Sequence, residues 1–193
     1  YRNSGGQQNI GGAYVQGQYW VRDNLSLTGS GRVDHWRNYD AHNLETALVA
    51  GTAVNNQPSL PERDDTVVSP RVGVLYHFTD RVSAWGSVSG GFRAPTLNEL
   101  YRQFRVGAVL TLANPSLGPE RLVGGELGAN FAVSRNLTVR TVYFDNHMDN
   151  PVSNVTIATV GTQITQQRQN LGATRIYGFQ ADAEYRLGEM WRI

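Results

Sequence analysis

The stretch Gly90–Glu120, GGFRAPTLNELYRQFRVGAVLTLANPSLGPE, decides the reading of this 193-residue chain. On either side of it, apolar and polar residues alternate with a period of two, the signature of a strand with two different faces. The insert between them carries Arg93, Arg102 and Arg105, with Tyr101 and Phe104 as an aromatic cluster. Long irregular inserts inside compact structures are uncommon and are usually functional or disordered. Pro95, Pro115 and Pro119 each lack an amide donor, so they stop strands from growing into the insert. Thr96 with Glu99 three residues on predicts one capped helical turn over residues 96–101. Asn114-Pro115 starts a turn.

Working outward, the same alternation recurs at residues 13–22, 25–36, 68–78, 82–93, 122–133, 137–145 and 176–187. Residues 68–78, for example, put Val68, Val72, Val74, Tyr76 and Phe78 on one face and Ser69, Arg71 and His77 on the other. In 137–145 the pattern is broken by Val142 and Phe144. Short polar turns are predicted at Asp23-Asn24, Thr79-Asp80, Ser134-Arg135-Asn136 and Gly188-Glu189, and long inserts at residues 40–66, 94–119 and 147–170. Turns and inserts take turns along the chain, so all short turns fall on one edge of the sheet and all long inserts on the other. Outer-membrane barrels have this asymmetry, with short periplasmic turns and longer extracellular loops.

A soluble β-sandwich alternates too, because one of its faces meets a core and the other meets water. Three features favour a membrane barrel. The segments run to about 10–12 residues where soluble strands average about 5–6. The polar face mixes charges with large aromatics, as a wet lumen can. Aromatics sit towards the ends of the apolar faces, where an interfacial girdle belongs. The expected fold is therefore all-β: part of an antiparallel up-and-down transmembrane barrel, with seven strands and the start of an eighth at Trp191. The sandwich alternative predicts that Val15, Val74 and Leu127 are buried.

Composition narrows the function. A formal net charge of +1 gives no general attraction for nucleic acid, and the absence of cysteine excludes thiolate metal sites and disulfides. No apolar run approaches the roughly 20 residues of a spanning helix, and none is needed for strands that cross with about 9–11. Nucleophile elbow, Walker loop and zinc-helix signatures are missing, so no catalytic residue and no cofactor is expected. His35, His42, His77 and His147 are scattered, and Asp145, Asp149 and Asn150 lack calcium-loop spacing, so no metal site is expected.

GFRAP at 91–95, NPSLGPE at 114–120 and Glu126 inside the strand that follows resemble the β-barrel region of TonB-dependent outer-membrane receptors. VYFDNHMDN at 142–150, RIYGFQADAEYRL at 175–187 and Gly31-Arg32-Val33-Asp34 fit the same family. The resemblance covers nearly the whole of residues 1–193 and implies an internal piece of a 22-strand barrel, without the N-terminal plug, the energy-coupling box or the terminal strand. It implies an outer-membrane location, lipid around the wall and a monomeric barrel when intact. It also implies uptake of a scarce nutrient, most often a ferric siderophore and sometimes cobalamin or a saccharide, energised by the TonB complex acting through the plug. A passive porin or structural barrel is the rival. A piece of barrel has two open strand edges, which predicts poor stability in isolation.

Arg102 and Arg105 are the candidate ligand anchors, because guanidinium forks suit carboxylate or phosphate groups on an anionic ferric chelate. Tyr101 and Phe104 are candidates for stacking. Arg93 is a weaker candidate, more readily explained as a lumen residue paired with Glu99 or Glu126. Trp36 and Trp85 are assigned to lumen packing or the girdle.

Overall fold

Because each short turn joins neighbouring segments, the simplest pairing is sequential and antiparallel, and the molecule adopts it. The computed structural model describes residues 2–46, 53–187 and 191–192. The wall consists of β1 (Arg2–Arg22), β2 (Leu25–Thr46), β4 (Arg63–Thr79), β5 (Val82–Arg93), β8 (Glu120–Ala132), β9 (Leu137–Asp149), β12 (Ala173–Leu187) and β13 (Trp191–Arg192), hydrogen-bonded in that order. The short β3 (Ala53–Gln57) pairs beside β2 on the long-insert edge. The turn expected at Gly188-Glu189 lies outside the described residues, as do residues 47–52 of the first insert.

Register explains how the two faces separate. One row of paired residues crosses seven strands as Tyr19, Leu27, Val74, Gly86, Leu127, Tyr143 and Phe179. The adjacent row, on the opposite face, reads Gln18, Thr28, Gly73, Ser87, Glu126, Phe144 and Gly178. A one-residue slip would exchange the faces, so the alternation enforces the register. Val15, Val74 and Leu127 are 74%, 43% and 66% exposed, which overturns the sandwich alternative. An apolar face this broad, uncovered by protein, suits hydrocarbon. The sheet is open: β1 and β13 are its two ends.

The polar face accommodates the residues that break the alternation. Val142 and Phe144 point to this face, Val142 with little exposure. Trp85 lies flat against Gly128, where a Cβ would come within 2.3 Å of the indole, and Arg140 covers the ring at 5.3 Å. Trp36 is 2% exposed. Both tryptophans therefore pack in the lumen wall.

The long inserts differ from expectation. The strands extend beyond their sequence-based limits, with β2 running to Thr46 and β9 to Asp149. Residues 94–119 and 150–172 carry regular structure of their own. They contribute α1 (Leu97–Tyr101), β6 (Phe104–Val106), β7 (Val109–Leu112), β10 (Val152–Val160) and β11 (Gln163–Asn170). The four strands form a second sheet in the order β10-β11-β7-β6. Its two hairpins turn at Gly107 and Gly161, whose φ of 56° and 58° is a left-handed conformation that glycine adopts without strain. The join between inserts is the parallel pairing of β11 with β7.

Candidate functional site

The site lies where the two inserts meet above the rim. Its base is built at the end of β5, where Pro95 interrupts the strand and is fully buried. Thr96 then caps α1: its side chain accepts from the Glu99 amide at 3.3 Å, and the Glu99 carboxylate accepts from the Thr96 amide at 2.8 Å. This reciprocal box is the one the sequence predicts. The turn drives Leu100 and Tyr101 into a small core with Ala41 and Leu117, flanked by Leu60, Leu97 and Val152.

The other root of the insert is held by hydrogen bonds. Asn114 accepts from the Ser116 amide and donates to the Arg168 carbonyl at 2.8 Å. Arg63 donates to the carbonyls of Pro115 and Leu117. The Gly118 amide donates to Asn170 Oδ1 at 2.8 Å, and Asn170 Nδ2 returns a bond to the Gly118 carbonyl at 3.1 Å. Arg2 donates to the Gln103 carbonyl and pairs with Glu45, which also accepts from the Gln103 amide group.

Arg93 sits between two carboxylates, Glu120 at 2.7 Å and Glu99 at 2.9 Å. Glu120, rather than Glu126, is the second partner, and Glu120 also accepts from the Val152 amide at 2.7 Å. These groups lie above the apolar band, one residue beyond a row that carries Arg121 and Asp149. Hydrogen bonds to Glu120 and Glu99 raise the Arg93 pKa. Arg93 in turn holds the Glu120 carboxyl below the usual range, against an opposing contribution from burial. Burial pushes Glu99 up, but bonds from Arg93 and Thr96 outweigh it and leave its pKa lowered. With two acids on one guanidinium, Arg93 ties strand ends and helix together and has no net charge to offer an anion.

The remaining candidates separate. Tyr101 is 1% exposed and belongs to the core, where burial raises its hydroxyl pKa. Arg102 and Phe104 line a cavity of about 350 Å³ with Asn98 and Arg168. Arg105 alternates to the other face of β6 from Phe104 and so faces away from that cavity. Among the described residues, the side chains of Arg102 and Arg105 make no ion pair. Arg168 was not singled out by sequence reasoning. Its Nη1 donates to the carbonyls of Asn98 at 2.9 Å and Arg102 at 3.4 Å, and its Cζ lies 5.1 Å from the Phe104 ring centroid. The available signal was that Arg168 is the one charged residue in 152–170. Two guanidinium groups, an aromatic ring and an amide, with no carboxylate in the lining, make a cavity suited to an anion.

Comparison with known proteins places this architecture. The family described as "TonB dependent receptor-like, beta-barrel" matches residues 1–193. The chain is 25% identical over 179 residues to the iron-regulated outer membrane virulence protein of Vibrio cholerae, covering 87% of this chain and 24% of that protein. It thus spans about a quarter of the length of the curated relatives it matches. Its fold is similar to the Serratia marcescens hemophore receptor HasR, solved with its hemophore and heme, at a TM-score of 0.75 and 20% identity, covering 95% of this chain and 32% of HasR. It is also similar to the copper transporter OprC, at a TM-score of 0.77 and 18% identity, covering 97% of this chain and 28% of OprC. The meander of strands, the inserts gathered at one edge and the match along the full chain agree: this chain belongs to the TonB-dependent receptor-like β-barrel family of the bacterial outer membrane.

Proposed function

We propose that the chain forms wall and outer rim of an active uptake receptor, and that the cleft of Asn98, Arg102, Phe104 and Arg168 captures an anionic ferric chelate outside the cell. The single observation that carries this reading is the pair of guanidinium groups beside Phe104 in a lining without carboxylates. Capture would be by charge and hydrogen bonding, with no bond made or broken in the nutrient. Release inward would depend on a plug segment and the TonB complex, drawing on the inner-membrane proton gradient. The wall supports this role by meeting lipid on its apolar face and solvent on its polar face. Iron-limited growth on a defined ferric chelate tests the reading. The gene should be required, a protonophore should stop uptake, and Arg102→Ala should raise the half-saturating chelate concentration. Uptake that survives collapse of the proton gradient would identify a passive porin instead.

A further inference from the structure

The cleft is made by two inserts that meet nowhere in sequence, and their strand pairing is slight. Parallel β7 and β11 share four register pairs, Val109 with Ile164 through Leu112 with Gln167. Parallel pairing is slightly weaker per residue than antiparallel pairing. Side chains must therefore help to keep the inserts together, and Arg168 is placed to do so. From β11 its guanidinium reaches two carbonyls of the 94–119 insert and lies over Phe104, while its own carbonyl accepts from Asn114. Arg102 lines the same cavity, and among the described residues its guanidinium makes no ion pair.

We propose that Arg168 is the positioning residue that assembles the cleft across the two inserts, and that an aromatic anion bound there clamps β7 to β11. The ligand half of this proposal rests on the receptor reading above. Charge selects an anion, because Arg102 lines the cavity and no carboxylate does. The Phe104 ring selects a planar aromatic group. A ligand that binds only the assembled cleft must stabilise that assembly, since binding shifts the equilibrium by its differential affinity for the two states.

The test uses the full-length encoded protein in outer membranes, with Leu110→Cys and Thr165→Cys introduced as register partners across the join. The chain has no other cysteine. The probes are ferric tris-catecholate, an aromatic anion, and ferric citrate, an anion without an aromatic ring. Barrel folding of each variant is checked by heat-modifiable gel mobility. Without probe, Arg168→Ala should slow disulfide formation several-fold, Arg168→Lys should be intermediate, and Arg102→Ala should match the parent. Ferric tris-catecholate should speed disulfide formation in the parent and not in Arg102→Ala. Loss of Arg168 should weaken its binding about tenfold, because only the assembled cleft binds and the assembled fraction falls. Locking the join with the disulfide should restore most of that affinity.

Disulfide formation in Arg168→Ala at the parent rate would overturn the assembly role. Failure of the locked Arg168→Ala protein to regain affinity would overturn positioning in favour of direct contact. Equal effects of ferric citrate would overturn the aromatic requirement. If neither probe binds while Arg168→Ala still slows disulfide formation, the ligand class and the receptor reading fall and the assembly role stands.

Discussion

Arg93 and Glu120, the last residue of β5 and the first of β8, are register partners joined side chain to side chain, with Nε donating to Oε2 at 2.7 Å. The bond closes the base of the 94–119 insert, and the same guanidinium also holds Glu99 of α1. Arg93→Ala should loosen this base by about 1–2 kcal/mol, a value that allows for the partial exposure of the arginine. Arg93→Lys should recover only part of it, because an ammonium cannot span both carboxylates as a planar fork does. Hydrogen exchange of the α1 amides measures both changes.

The same cluster sets an acid limit. The Glu99 and Glu120 pKa values are lowered from an ordinary 4.5 in the folded protein. A depressed carboxyl pKa contributes stability that is present above the unfolded value and lost as pH falls through the folded one. The rim should hold unchanged from neutral pH down to about 5 and loosen below about 4.5. Cleavage in the α1 segment by an acid protease, followed against pH, checks this. Glu99→Gln should flatten the profile.

Tyr101 separates a core role from a ligand role. Its side chain is buried and, among the described residues, its hydroxyl has no hydrogen-bond partner. Tyr101→Phe should be neutral or slightly stabilising, since it removes an unpaired buried polar group, and chelate binding should not change. Tyr101→Ala should cost about 3–5 kcal/mol of local stability by emptying the core around Leu100 and Leu117. Protease resistance of the insert and a binding isotherm for both variants distinguish the roles.

The lipid face makes a further prediction. Leu127→Arg should impair assembly by about 2–4 kcal/mol if the residue lies near the bilayer midplane, whereas Ser87→Arg on the polar face should be tolerated better. Spin labels at Val15, Val74 and Leu127 should be quenched by oxygen in preference to aqueous nickel chelates. Preferential aqueous quenching at these positions would contradict a lipid-facing wall.

Much of this molecule is legible along the chain because its rules are local. Period-two alternation assigns each strand two faces, and short polar turns between segments make sequential antiparallel pairing the cheapest closure. The register of Val74 against Leu27 and Gly86 follows from those two facts. The helical turn at Thr96 follows from a cap only three residues long. Arg93 could be expected to find an acid, although its second partner proved to be Glu120.

What the sequence alone determined is therefore the wall, its two faces and the roots of the insert. Only the tertiary structure decided that Tyr101 is core, that Arg105 faces away from Phe104, and that Arg168 completes the cleft. Each depends on contacts between distant segments: α1 against Ala41 and Leu117, and β7 beside β11. Parallel pairing between two mixed polar inserts leaves no periodic signal in either, because neither insert has one face buried along its length. The partner of Phe104 is set by where the rim brings the inserts together, and that position follows from the register of many strands.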